Sequence, residues 1–359
     1  NIFRIIELCG KDESIFSAIE TILSFNRSTS DPLMALIYMV RFIETSSQPA
    51  SLLKELTQNK NKIKLLSKIC SESRYFSEIL LKHPEYLIWL SDTAFGEVKK
   101  REELLDELVK ETEQIESPDE KLNGMRRFKN RQVLRIGAND IMGITNLQTT
   151  AGEISNLADV CIEFAYKYYL AEFIKKHGNV NSSCKFCVIS MGKLGGFELN
   201  YSSDIDIMFV CEGDGVTSLS GMEYIEFYTK IAQKICESLA TQSPDGYCFR
   251  VDTRLRPEGT KGQLVRTLDS FKVYYETRGK TWERQALIKA RPSAGDKELG
   301  EKFSKLILPF IYRKYLTHQD IQAIKHLKKI IETKVTEEGN WKTEVKLGEG
   351  GIRDIEFMV

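Results

Sequence analysis

Asp204 and Asp206 stand one residue apart at the head of an apolar run, DIDIMFV. Side chains alternate across a strand, so the two carboxylates share one side while Ile205 and Ile207 turn toward a core. Like charges placed this way repel unless a cation lies between them. A hard divalent ion such as Mg²⁺ takes oxygen ligands of this kind. A solvated strand edge would carry the same pair, so the neighbouring residues have to decide. Gly195-Gly196 ends eight residues before Asp204. Glycines let a backbone approach a phosphate, and adjacent N–H groups bind the anion. Ser202 and Ser203 add hydroxyl donors.

Downstream, FRVDTRLRP is expected to be a strand with Arg250, Asp252, Arg254 and Arg256 on one face. Three arginines around one aspartate need counter-anions, either phosphate groups or a lattice of salt bridges. Residues 250–291 hold eleven Lys or Arg against five Asp or Glu, a local excess of six positive charges. Two carboxylates in D-x-D, a third on a later strand and a glycine turn ahead of them describe a nucleotidyltransferase site. Such sites hold two Mg²⁺ ions roughly 3.5–4 Å apart and stabilise in-line attack at phosphorus.

These residues need a scaffold. Residues 1 to 120 show helical spacing in SIFSAIETILSF, DPLMALIYMVRFIE and EILLKHPEYLIWL, with Asp31-Pro32 as an N-cap followed by proline at N1. Lys99–Lys121 is mostly charged and reads as a solvated helix or linker. In MRRFKNRQVLRIGANDIMG, the cations Arg126, Arg127, Lys129, Arg131 and Arg135 read as a solvated face or a phosphate- or partner-facing patch. From residue 184 the pattern changes. CKFCVISM and DIDIMFV are short β-branched runs, YIEFYTKIAQKICESLATQ is an amphipathic helix, and CFRVDTRLRP follows as a third strand. This alternation indicates a small α/β domain over 184–257. Past 269 the chain is expected to return to helix.

The bulk numbers exclude several classes. At 359 residues, two to three domains are expected. Lys plus Arg and Asp plus Glu are 51 each, so whole-chain charge argues for neither nucleic acid nor membrane. No stretch approaches the ~18 apolar residues of a spanning helix, and the start lacks the features of a signal peptide. Eight scattered cysteines point to thiols in a reducing compartment such as the cytoplasm. An Asn start and an apolar IEFMV end suggest a piece of a longer polypeptide.

Five ordered segments now carry a resemblance: FKNRQVLRIGANDIMG, MGKLGGFELNYSSDIDIMFV, FRVDTRLRPEGTKGQLV, WERQALIKARPSAGD and GEGGIRDIEFMV. Together they resemble the bifunctional glutamine synthetase adenylyltransferase/adenylyl-removing enzymes, over a stretch from Ser73 to the final GGIRDIEF. The resemblance implies an α+β, mostly helical fold. A small nucleotidyltransferase (DNA polymerase beta-like) α/β core over 136–268 would be flanked by helical regions at 1–135 and 269–359. In that family one half transfers AMP from ATP to a tyrosine of glutamine synthetase. The other removes it by phosphorolysis, with phosphate attacking and ADP leaving. ELNYSSDIDI, Arg284 and Arg353 look like the N-terminal, adenylyl-removing half. Gln285-Ala286-Leu287 is closer to the transferase pattern, so the transferase half is one alternative and an inactive regulatory or scaffold fragment another.

By resemblance, Asp204, Asp206 and Asp252 are the catalytic carboxylates that hold Mg²⁺, and Gly195, Gly196 and Ser203 shape the phosphate loop beside Ser202. Arg254 and Arg256 are expected to neutralise phosphate. Phe197 stands where many relatives have a third glycine. The implied partners are glutamine synthetase, ATP or ADP with phosphate, and the PII regulator through the full-length enzyme. Other residues carry weaker signals. Cys184 and Cys187 form a lone CxxC, short of the four ligands of a zinc site. His83, His177, His318 and His326 are dispersed, with surface positions expected. Trp282 and Trp341 read as core or interface aromatics. Lys289 and Arg291 are read as reaching a phosphate or pairing with acids, and Glu356 as approaching the site or packing beside it.

Overall fold

The computed structural model describes residues 2–312 continuously and, past these, isolated positions between 318 and 355. The chain forms two compact units and passes between them more than once. The first holds residues 1–165, 197–203 and 237–250; the second holds 166–196, 204–236 and 251–359.

The first unit is helical among its described residues, and its helix starts follow the chemistry of their caps. Asp31 accepts the Met34 amide at 2.9 Å with Pro32 at the first helical position, and the Ser73 hydroxyl accepts the Phe76 amide at 3.2 Å. The charged Lys99–Lys121 stretch contains a helix, Arg101–Glu113, that buries Leu104, Leu108 and Thr112 along one side. The helix Pro118–Ile141 departs from both readings of its basic stretch, because most of those cations are buried. Arg135 is 0% exposed and donates to Gln132 Oε1 at 2.8 Å, the Glu97 carbonyl at 2.6 Å and Glu153 Oε1 at 2.8 Å. Arg126 donates to the Ser238 carbonyl. The Lys129 ammonium bonds Tyr75 Oη and lies over the rings of Phe249 and Tyr75. Arg127 and Arg131 pair with carboxylates. Buried charge persists only where it is paired and hydrogen-bonded, and removing one partner strands the other. Glu153→Ala is therefore expected to cost about 3–5 kcal/mol. Arg135→Met combined with Glu153→Leu should recover most of that loss; urea unfolding of both variants is the check.

The second unit is built on a five-stranded sheet of order β3-β2-β1-β5, with β4 also on β2. The strands are β1 (Lys185–Met191), β2 (Ile205–Glu212), β3 (Val251–Asp252), β4 (Val265–Thr267) and β5 (Arg291–Gly295). β1 is antiparallel to β2 and β5, while β3 and β4 run parallel to β2. Both faces are covered, which explains why β1 and β2 read as continuous apolar runs. On one face Cys187, Ile189, Met191, Met208 and Val210 join Phe271, Tyr275, Phe303 and Phe310 from the following helices. On the other, Phe186 stacks on Phe209, Tyr166 and Tyr228 at ring distances of 5.8, 5.2 and 5.0 Å. The fold is thus α+β and mostly helical around a small sheet, as expected. All eight cysteines are free thiols. No helix among the described residues is long and apolar enough to cross a membrane.

Two details differ from the sequence reading. The third strand is only two residues long. Alternation therefore stops at Asp252, and Arg250, Arg254 and Arg256 do not line one face of it. The Arg254 amide turns back onto Asp252 Oδ1 at 2.8 Å, an Asx turn that ends the strand. The second difference is β5, which the polar and glycine-bearing RPSAG did not announce as a strand.

Candidate active site

Asp206 lies in β2 opposite Met191 of β1 on one side and opposite Asp252 of β3 on the other. Ile205 and Ile207 are both 0% exposed, so the core fixes the strand and with it the direction of the aspartate between them. Asp204 is exposed and lies just before the strand begins. Asp206 and Asp252 are thus register partners at the ends of two paired strands.

Their counterion is Arg254. Its Nε is 3.0 Å from both Asp252 oxygens, and its Nη2 is 2.6 Å from Oδ2. This fork holds the Asp252 carboxyl below the usual carboxylate range against the opposing effect of burial. The Arg254 guanidinium is in turn raised, first by its hydrogen bond to Asp252, and further by the charges of Asp206 and Asp204. One cation therefore feels three anions. Among the described residues, no three His, Cys, Asp or Glu side chains stand gathered around one point as the side chains now lie. Asp206 and Asp252 nonetheless present carboxylate oxygens from facing strands, with Asp204 exposed just ahead of them. Oxygen donors of this kind are the type that a hard divalent ion takes.

Arg256 differs from Arg254. It donates to the carbonyls of Thr253, Thr260 and Gly262 and to the Thr253 hydroxyl, and so staples the 253–262 loop. Burial lowers its proton affinity.

The glycine turn sits directly after β1, as one helical turn at Gly192–Gly195 closed by the Gly196 amide on the Gly192 carbonyl. A Cβ on Gly195 would overlap the carbonyl oxygen of Lys289. Arg291 donates to the carbonyls of Leu194 at 3.0 Å and Gly195 at 3.1 Å. These two bonds clamp the turn. Gly192 was missed by sequence reasoning. It has φ +53, and a Cβ there would lie 2.5 Å from Asp206 Oδ2. Its one legible signal was its place as the first residue after a strand.

Ser202 and Ser203 belong to the 197–203 stretch of the first unit. The Ser202 carbonyl accepts from Arg250 at 2.5 Å, and the Ser203 hydroxyl donates to Asn200. Tyr201 donates to Asp140 Oδ2 at 2.9 Å, and the Leu199 amide donates to the Ser155 hydroxyl at 3.2 Å. These bonds hold the 197–203 stretch within the first unit. Phe197 has φ +55, a left-handed backbone that a glycine would adopt without a steric penalty. Elsewhere, Arg284 is buried with its guanidinium 4.9 Å from the Phe310 ring centre. Cys187 joins the sheet core, and the Cys184 thiol donates to the Asp214 carbonyl. Trp282 is half-buried, and His318 and His326 are exposed. Trp341, Arg353 and Glu356 lie outside the described residues.

Residues 63–306 match the family glutamate-ammonia ligase adenylyltransferase. The chain belongs to that family. It is 36% identical over 300 residues to a bifunctional glutamine synthetase adenylyltransferase/adenylyl-removing enzyme of Pseudomonas putida, covering 81% of this chain and 30% of that protein. A protein of the same name from Hahella chejuensis is 35% identical over 289 residues, covering 78% and 30%. One from Idiomarina loihiensis is 33% identical over 304 residues, covering 82% and 32%. The chain thus spans about 30% of the length of these curated relatives.

Proposed function

We propose that this chain removes AMP from an adenylylated tyrosine of glutamine synthetase by phosphorolysis, taking in inorganic phosphate and releasing ADP. The observation that supports a phosphoryl-transfer site most is Asp206 facing Asp252 across β2 and β3, with Asp204 beside them and one arginine answering all three. The direction of the reaction is supported by ELNYSSDIDI and Arg284, and by the excess of six positive charges over residues 250–291. An anionic nucleophile approaching a phosphate needs more countercharge than a neutral hydroxyl does.

In this reading Asp204, Asp206 and Asp252 hold Mg²⁺, and Gly192 leaves room for Asp206 beside the turn. When bound, Mg²⁺ supplies charge neutralisation at the phosphoryl oxygens. Arg254, exposed at the mouth of the carboxylates, pairs with phosphate, while Arg256 and Arg291 keep the loop and the glycine turn in place. An oxygen of inorganic phosphate attacks the phosphorus of the AMP group, and the bond from phosphorus to the tyrosine oxygen breaks. The leaving phenolate, whose conjugate acid has a pKa of about 10, takes a proton from water. The PII regulator would act through parts of the longer relatives that this chain does not span.

The test is to incubate the chain with adenylylated glutamine synthetase, Mg²⁺ and phosphate. Phosphate-dependent ADP formation is the expected result. Incorporation of AMP from ATP into unmodified glutamine synthetase would assign the opposite reaction. Neither reaction, with no Mg²⁺-dependent nucleotide binding, would leave a scaffold.

A further inference from the structure

We infer that Arg254 is a tethered counterion that holds the carboxylate site until a divalent ion displaces it, after which its guanidinium engages the phosphate of the bound nucleotide. The inference rests on the reading of Asp204, Asp206 and Asp252 as metal-holding residues and adds a coupling between metal and phosphate binding.

Three features lead to it. First, the guanidinium occupies the oxygens that a metal would need. Both Asp252 oxygens are engaged by the fork, and Asp206 is the register partner of Asp252. A cation already answers the three carboxylates, so an incoming metal must compete with it.

Second, Asp252 has two tethers of different kinds. The backbone amide of Arg254 bonds Oδ1 at 2.8 Å, independently of the side chain. When the guanidinium leaves, Oδ1 stays oriented by the Asx turn and Oδ2 becomes free. Release of the side chain therefore costs no reordering of the loop.

Third, the guanidinium is open to solvent. The Arg254 side chain is 72% exposed, against 15% for Asp252. Its neighbour Arg256 is bonded to four acceptors of the loop and cannot move without opening it. Of the two arginines, Arg254 is the one that can turn outward. A forked guanidinium exchanges readily from carboxylate to phosphate, because both acceptors match its geometry.

Arg254 then opposes metal binding in the nucleotide-free protein and favours phosphate once metal is present. Each ligand strengthens the binding of the other through this one side chain. Calorimetric titration with Mn²⁺, without nucleotide, separates the consequences. Arg254→Gln should bind Mn²⁺ about fivefold more tightly than the wild type, the scale of an exposed ion pair. With Mn²⁺ saturating, the same variant should bind ADP about tenfold more weakly. In EDTA it should melt below the wild type, with the gap closed by Mn²⁺. Equal or weaker Mn²⁺ binding by Arg254→Gln would overturn the inference. Asp206→Asn distinguishes this failure from failure of the underlying reading. If the wild type binds Mn²⁺ and Asp206→Asn does not, the metal site stands whatever Arg254→Gln does. If both bind it alike, the metal site and the inference fall together.

Discussion

Asp206→Asn is expected to lower the rate of phosphate-dependent ADP formation by about a thousandfold while the protein stays folded. The carboxylate sits at the end of β2 with β1 and β3 paired on either side, so an isosteric amide keeps the backbone as it is. The melting temperature in EDTA should therefore stay close to that of the wild type. Loss of one carboxylate from a metal that neutralises transferring phosphoryl oxygens removes several kcal/mol of transition-state stabilisation, and ~4 kcal/mol corresponds to that thousandfold. Rate assays paired with thermal melts are the check. A variant retaining a tenth of the activity or more would show that Asp206 does not serve the reaction.

Gly192→Ala should be the next largest effect, and its two causes can be separated. Gly192 has φ +53, which costs an L-residue about 1–2 kcal/mol. Its new Cβ would also stand 2.5 Å from Asp206 Oδ2, so the carboxylate must rotate away. Activity should fall about a hundredfold, on the scale set by a misplaced reacting group. Gly143→Ala is the control. Gly143 has φ +69 but nothing within 4 Å of a Cβ. It carries the same backbone penalty without the collision, so it should lose stability and keep activity. Equal activity losses in the two variants would mean that the collision with Asp206 plays no part.

The sequence exposed the parts of the site that follow from side-chain pattern. β1, β2 and the helix Tyr224–Ala240 were legible because a sheet covered on both faces leaves β-branched runs beside an amphipathic helix. Asp204 and Asp206 stood out because charge interrupts such a run. Asp252 was found on a strand that proved two residues long, since alternation says nothing about a side chain that bonds its own backbone. The cations of Pro118–Ile141 were misread for a related reason. Their burial depends on partners such as Glu97 and Glu153, which lie 38 and 18 residues from Arg135. Arg291 as a clamp on the Leu194 and Gly195 carbonyls, and β5 itself, are likewise set by tertiary pairing rather than by local pattern. Gly192 was passed over beside the more conspicuous Gly195-Gly196 because its constraint comes from Asp206, fourteen positions later.

Asp204, Asp206 and Asp252 are proposed to hold a divalent ion together at the nucleotide phosphate. Electron paramagnetic resonance of Mn²⁺ with ADP, recorded on the wild type and on each of the three Asp→Asn variants, tests it most directly. Wild-type protein is expected to remove the free Mn²⁺ signal in the presence of ADP, and each substitution to restore most of it. Variants that bind Mn²⁺ and ADP as the wild type does would contradict it.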